Sequence, residues 1–490
     1  MKSKLIIIII LMVLSSWYAM ECQARTNISR MVVISDTHLL SPELVTPGKA
    51  IDQADAGESK MMAMSDEIMA ALTDSIISYK PRVVLVTGDL THNGERLSHE
   101  RMAQYLDRMA SCGILPLVIP GNHDCNNPYA RRFNGDTAEP AATVTREEFA
   151  TIYRNYGYGK DVVRDPSSLS YCCEPIDGIV IIGIDSNMDE QNTLTSRGDS
   201  VDSYHNGGHI KPETLQWVIG QAQQARQRGK SVIAMMHHHL VPHFDQEERL
   251  LANYIVQGHD DIALQLMQAG VHTIFTGHLH VTDAVTLYNN DRTDSIVEVA
   301  TGSAICYPFA MRMVKVQPGH DITVDTHWLN ATPSCPTLRE LGRQRIINAT
   351  PGMAAMLSSK AWSRVGNHMS QLKRFLESDG TKSNLPETPQ QATQLVLRHL
   401  SEVLSRTLLA VVEGNEQEAV TEDLIDQGKQ GLRAIIAETA PSQADALWEF
   451  FQSSVYPRLE PLVRSILEDR NSVGTPAESQ TSDLHLRLRL

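Results

Sequence analysis

Apolar residues recur on two different periods along this chain, and the change of period divides it. Six short aliphatic runs punctuate the first half: MVVIS (Met31 to Ser35), VVLVT (Val83 to Thr87), LPLVI (Leu115 to Ile119), IVIIGI (Ile179 to Ile184), SVIAMM (Ser231 to Met236) and VHTIFT (Val271 to Thr276). They are rich in β-branched residues and continuous rather than alternating, as expected of strands buried on both faces. Between them the apolar spacing lengthens to three and four residues, which predicts helices over Met61 to Tyr79, Ser98 to Ser111, Pro212 to Arg228 and Ala263 to Ala269. Strand, helix, strand repetition of this kind predicts a layered α/β domain. Three later runs, SIVEVAT, MRMVKVQ and DITVDTHWL, have no helical pattern between them and extend a second sheet.

After about Asn330 the character changes. TPSCPTLREL reads as a Pro- and Thr-rich linker, and long helical patterns follow over Ala354 to Glu377, Gln390 to Val412, Thr421 to Glu438 and Ala444 to Asp469. Leu397, Leu400, Val403, Leu404 and Leu408 show the spacing. The expected organisation is a layered α/β domain over 25–332, an all-helical C-terminal domain over 333–475 without a chemical cluster of its own, and a tail over 476–490. The helical part either packs on the first domain or binds a partner. The strict alternation in SDLHLRLRL predicts an edge strand or a frayed end. Asp124 to Ser170 is polar and weakly periodic, as in a functional loop, a lid or a partly disordered insertion.

Composition narrows the class. The chain has 490 residues, 42% hydrophobic and 21% charged, which is that of a soluble globular protein large enough for two domains. A formal net charge of -15 argues against a polynucleotide partner, because phosphate backbones need basic surface. A small phosphorylated substrate remains compatible, since a bound metal supplies positive charge locally. At the N-terminus, Lys2 and Lys4 precede the apolar stretch Leu5 to Leu14, with Cys22 and Ala24 placed for signal cleavage. Residues 1–24 are therefore read as a signal peptide, which exports the protein to a periplasmic or extracellular space and leaves no transmembrane anchor; the alternative is an uncleaved membrane anchor. Export permits disulfides among Cys112, Cys125, Cys172, Cys173, Cys306 and Cys335, with no pairing chosen by the sequence.

The chemistry lies where the strands end. Asp36-Thr37-His38, Gly88-Asp89, Gly121-Asn122-His123-Asp124, His237-His238-His239 and Gly277-His278-Leu279-His280 each follow one of the six runs. In an open α/β sheet these ends converge on one crevice. Any one of these pieces is weak by itself; five in order, each after a strand, point to a metal centre. Imidazole, amide and carboxylate donors suit manganese, iron, cobalt, nickel or zinc. Seven donors are too many for one ion, and two ions sharing a carboxylate are the usual device of phosphoryl chemistry.

This ordered set resembles the calcineurin-like metallophosphoesterase superfamily, and most closely its bacterial members akin to class III cyclic-nucleotide and glycerol phosphodiesterases. The resemblance covers roughly Arg30 to Leu329. It implies a two-sheet β-sandwich flanked by helices around a dinuclear centre. Asp36, His38 and His280 would hold one divalent metal, Asn122, His237 and His278 the other, and Asp89 would bridge. His123 would face the phosphate and assist the leaving group, with Asp124 orienting it. In HHH, alternation puts His237 and His239 on one side; the family pattern favours His237, with His239 as the fallback.

Weaker readings attach to His92 and Asn93 (near a leaving group), to His243 (lining the cleft or on the surface), to Ser203 to Ile210 (a structural loop), and to Asp185 (a hydrogen-bonding partner). The resulting expectation is a phosphoester hydrolase, phosphodiesters favoured, acting by metal-activated hydroxide. A phosphomonoesterase, or a phosphate-ester binding protein with a metal site that does not turn over, are the alternatives.

Overall fold

The computed structural model describes residues 28–56, 58–192, 204–317, 321–378, 380–414, 418–468 and 483–488. The segment read as a signal peptide lies outside these. The strands are β1 (Ser29–Ile34), β2 (Val45–Thr46), β3 (Val83–Val86), β4 (Leu115–Val118), β5 (Arg131–Asn134), β6 (Thr137–Pro140), β7 (Val163–Arg164) and β8 (Tyr171–Ile176). They continue as β9 (Ile179–Ile184), β10 (Ser231–Met236), β11 (Val271–Thr276), β12 (Asp283–Tyr288), β13 (Ser295–Ala300), β14 (Ala310–Val316), β15 (Ile322–Trp328) and β16 (His485–Leu488).

Two large sheets result, in the orders β16-β15-β14-β1-β3-β4 and β12-β13-β11-β10-β9-β8-β7. In the first, β1, β3 and β4 are parallel; in the second, β9, β10, β11 and β13 are. This is the mixed α/β sandwich flanked by helices. Period-two alternation shows why the runs are apolar throughout. Ile179, Ile181, Ile233 and Met235 belong to the main core, whereas Val180, Ile182, Ile184, Val232, Ala234 and Met236 belong to a second core. The helices Pro212–Gln227 and His259–Ala269 supply Val218, Ala222, Leu266 and Met267 to that second core. Register then aligns the strand ends: Ile34 pairs with Val86, Val86 with Val118, and Met236 with Ile184.

The polar insertion after Asp124 is ordered. It holds the hairpin β5–β6, the helix Arg146–Ile152 and four aromatic side chains, Phe149, Tyr153, Tyr156 and Tyr158, packed into the main core. Phe149, Tyr153 and Tyr156 fall at helical spacing, but the helix ends at Ile152 and so short a pattern does not stand out in a polar stretch.

The stretch expected to be a linker is folded onto the sandwich. Thr332 and Cys335 exchange backbone hydrogen bonds of 3.0 and 3.1 Å, Ser334 donates to Glu67, and Leu338 is fully buried. Leu338 opens a helix that runs to Leu376, and the helices Pro389–Glu413 and Glu418–Thr439 follow. The single helix expected from Ala444 is broken by a π turn at Phe451–Val455 before the last helix, Tyr456–Leu467, which carries a proline in its first turn. Proline lacks the N–H that a continuing helix needs. Leu338, Ile346, Leu409 and Val412 lie in the main core, so the helical region and the sandwich share it. β16 adds to the edge of β15, with Leu486 and Leu488 buried between exposed His485 and Arg487. The buried Arg312 of β14 ties the sheets together by donating to the carbonyls of Ala300, Asp283 and Asp483.

Among the described residues no helix is long and apolar enough to cross a membrane, and the six cysteines stand as free thiols.

Leu338→Ala should lower stability by about 2–5 kcal/mol, the range for truncating a buried leucine. Urea unfolding followed by tyrosine and tryptophan fluorescence would measure it; an effect under about 1 kcal/mol would mean that the helix start is not part of the core.

Candidate metal centre

Each strand end hands its chemistry to a short, strained turn. Asp36, His38, Asp89, His278 and His280 all have positive φ, at 52°, 35°, 50°, 70° and 61°. Such values are uncommon outside glycine and typically mark sites where the surrounding structure holds the backbone in place. Backbone hydrogen bonds do so here: Asp36 N donates to Gly88 O (3.1 Å), His38 N to Asp89 O (2.9 Å) and Gly277 N to His237 O (3.1 Å). Two glycines permit the crowding. A Cβ on Gly121 would overlap the Asp89 carboxylate, and one on Gly277 would overlap the Ser35 hydroxyl and Asp36.

The side chains converge. His38 Nε2 lies 3.1 Å from His280 Nε2, and His280 Nε2 lies 3.2 Å from Asp36 Oδ1. His237 Nε2 lies 3.0 Å from Asn122 Oδ1. Between the two groups, Asp89 Oδ2 is 3.5 Å from His38 Nε2 and 3.4 Å from His237 Nε2. His278 sits with Asp89 and His237; its Nε2 is taken by the Asn253 carbonyl at 3.1 Å, which leaves Nδ1 for the cluster. All of Asp36, His38, Asp89, Asn122, His237 and His278 are buried.

These contacts fit divalent metals because acceptors face acceptors. His237 Nδ1 donates to the Thr87 carbonyl at 2.8 Å, so neutral His237 presents a lone pair at Nε2. The Tyr204 hydroxyl donates to Asn122 O at 3.3 Å and accepts from Asn122 Nδ2 at 2.7 Å, which turns the amide oxygen toward that lone pair. The gap requires a positive centre, either a proton or a metal cation. Tetrahedral ligands with bonds of about 2.0–2.1 Å are separated by about 3.3–3.4 Å, close to the spacings found.

In the metal-free state protons fill this role. Burial disfavours the charged imidazole, but Asp89 outweighs it at His237 and Asp36 at His280, raising them to about 9 and about 10. His38, His123 and His278 are shifted the other way, chiefly by burial. The Lys60 ammonium, 3.9 Å from Glu58, adds to the lowering at His38, His92 and His123 through its field.

The residues around the cluster depart from the sequence reading in four places. Asp124 does not orient His123. Its two oxygens accept from Leu90 N, Thr91 N, Thr91 Oγ1 and Gly121 N at 2.8–3.1 Å, which locks the Asp89 turn to the Gly121 turn. His123 is held instead by the His92 carbonyl (2.7 Å) and Asn93 Oδ1 (2.9 Å) on Nδ1, with Nε2 4.0 Å from Asp89 Oδ2. A carboxylate next in sequence points away from its neighbour's ring, and the sequence offers no sign of the long-range partners.

His237 and His239 do not share a side: β10 ends at Met236, alternation stops, and His239 turns to Glu247 at 2.9 Å. His243 is neither in the cleft nor on the surface but buried against Asp283 at 2.7 Å. Asp185, by contrast, is a partner as expected, paired with Arg146. Residues 204–210 of the loop read as structural are described, and they bring Tyr204 to Asn122. Tyr204, Lys60 and Tyr254, whose ring lies 4.6 Å from that of His278, were not singled out by sequence. No motif marks them.

A model of the calcineurin-like phosphoesterase family matches residues 29–282, over half of the chain. The chain belongs to that family. No curated protein matches it in sequence. Among solved structures it is similar to a dimetal phosphatase from Danio rerio, at 12% identity over 61% of this chain and 96% of that one, with a TM-score of 0.41. It is also similar to the sulfate thiohydrolase SoxB of Thermus thermophilus in complex with glycerol, at 14% identity over 65% of this chain and 59% of that one, with a TM-score of 0.32. This phosphoesterase is thus a metal-dependent phosphoester hydrolase by family, and its Asp and His groups are placed to bind the metal.

Metal loading of this phosphoesterase should release protons. His237 and His280 carry raised values, so both are charged near neutral pH and each gives up its proton to a ligand bond. Adding manganese to metal-free protein in weak buffer at about pH 7.5 should release about two protons per chain. Apparent affinity should rise with pH until about 9–10 and then level off. Uptake without proton release would place other groups at the ligand positions.

Proposed function

We propose that this chain is an exported, dinuclear-metal phosphodiesterase acting on a small phosphorylated substrate. One observation carries the dinuclear reading: the single oxygen Asp89 Oδ2 lies within 3.5 Å of an imidazole from each group. Asp36, His38 and His280 would hold one ion, and Asn122, His237 and His278 the other, with Asp89 between them. The nitrogen and oxygen donors suit manganese, iron, cobalt, nickel or zinc. Bound there, the ions would neutralise phosphate oxygens and acidify water.

The chain's own residues do the rest. Asp124 and the two glycine turns hold the ligands rigid, which keeps reorganisation low when charge develops. His123 presents Nε2 toward the centre while Nδ1 is committed to His92 O. Burial keeps this imidazole neutral in the resting state. An arriving phosphate anion adds negative charge beside it and favours its protonated form, so that Nε2 can give a proton to the leaving oxygen. Lys60 adds positive potential over the cluster that would favour an arriving anion. The preference for diesters rests on the likeness of the ordered motif set to bacterial phosphodiesterases. The leader-like residues Lys2, Lys4 and Leu5 to Leu14 support export, and the net charge of -15 disfavours polynucleotides as substrate.

The test is hydrolysis of bis(p-nitrophenyl) phosphate beside p-nitrophenyl phosphate with added manganese. Diester cleavage should dominate, and His123→Ala should lower kcat by about 10²–10⁴-fold with metal content unchanged. Monoester cleavage alone would make the chain a phosphatase; no turnover with metal bound would make it a binding protein. Asp89→Asn should lose both ions together, and Lys60→Ala should lower kcat/KM by about tenfold without metal loss.

A further inference from the structure

We propose that His239, His243 and Glu298 form an additional metal site, distinct from the phosphoester centre and suited to one zinc ion. The three are fully buried or nearly so, and their ligand atoms lie within 4.8 Å of one another. His239 and His243 leave the loop after β10, and Glu298 comes from β13.

Each imidazole has its Nδ1 engaged by a carboxylate: His239 by Glu247 Oε1 at 2.9 Å, and His243 by Asp283 Oδ2 at 2.7 Å. In the neutral rings that tautomer leaves both Nε2 atoms as lone pairs, both buried and neither in a hydrogen bond. Such nitrogens in a dry interior are costly unless a cation meets them, either a metal ion or, at His243, the proton that the flanking Asp283 and Glu298 carboxylates favour. The rings lie 4.3 Å apart, centroid to centroid. Glu298 is aimed with equal care. Its Oε2 accepts from Leu240 N and Val241 N at 2.8 and 2.6 Å, and its Oε1 accepts from Thr276 Oγ1 at 2.6 Å. Oε1 then lies 3.3 Å from His243 Nε2, off the line of a hydrogen bond.

That separation matches the edges at the phosphoester centre, which run from 3.0 to 3.5 Å. Two imidazoles and one carboxylate are a recurrent zinc set, whereas calcium and magnesium prefer oxygen throughout. Carboxylates behind the ligating histidines are the usual device for fixing ring orientation, and both histidines have one. Bound there, zinc would pin the loop after β10 to β13. The same loop meets the C-terminal helices where Asp245 N donates to Ser465 Oγ at 3.1 Å. The site would therefore stabilise the turn that carries His237, without touching substrate.

The test is zinc content. The full chain is loaded with zinc, desalted and analysed by inductively coupled plasma mass spectrometry, with circular dichroism confirming the fold. Glu298→Gln and His243→Gln should each hold about one zinc per chain fewer than the unsubstituted protein and keep the rest. An unchanged count in either folded variant would mean that a proton fills the gap, and would overturn the proposal. If neither variant folds, an anomalous difference map at the zinc edge from crystals of the unsubstituted chain decides. A peak in bonding distance of His239 Nε2, His243 Nε2 and Glu298 Oε1 supports the site; its absence overturns it.

Discussion

His237 Nε2 and the Asn122 amide oxygen face each other at 3.0 Å, with Asp89 Oδ2 3.4 Å from the same nitrogen. With neutral His237 this arrangement is repulsive, and without metal a proton on His237 relieves it; the surrounding contacts hold the three groups in place. The Thr87 carbonyl fixes the imidazole tautomer, Tyr204 fixes the amide, and Asp124 clamps the turn that bears Asp89. Preorganised acceptors of this kind select for a cation, because only positive charge turns the crowding into attraction.

The backbone shares the burden. Five site residues hold positive φ, each at a cost of order 1–3 kcal/mol. Strands β1, β3, β10 and β11 are buried on both faces toward the ends that carry the site, so they can hold such turns without fraying. A large apolar sandwich is the foundation that a small polar cluster of this density requires. The same logic explains why glycine precedes Asp89, Asn122 and His278: the turns come too close together for a side chain there.

How much of this the sequence displayed varies with the range of the interaction. Strands such as Ile179–Ile184 and Ser231–Met236 were legible to the residue, because period and composition are local. The ligand set was legible because it is written as short motifs at strand ends. What was hidden depends on contacts between distant segments. Asp124 looked like a partner of His123, yet it serves Leu90, Thr91 and Gly121. Tyr204 has no motif and reaches Asn122 from a separate loop. TPSCPTLREL looked like a tether because prolines and threonines dominate it, whereas the burial of Leu338 depends on a core it does not itself contain.

The pairing of β15 with β16 has a mechanical consequence. The chain leaves the sheet at Trp328, forms the described C-terminal helices, and is found again from Asp483 at the neighbouring position in that sheet. Neighbouring strands lie about 4.8 Å apart. The described helices thus lie, in sequence, between two neighbouring strands of one sheet, and Leu338, Ile346, Leu409 and Val412 are packed into the core of that same sandwich. Tyr307 meets Glu413 and Asp245 meets Ser465 across the same boundary. Stripping the helices away would therefore open the apolar core on which the strand-end turns stand.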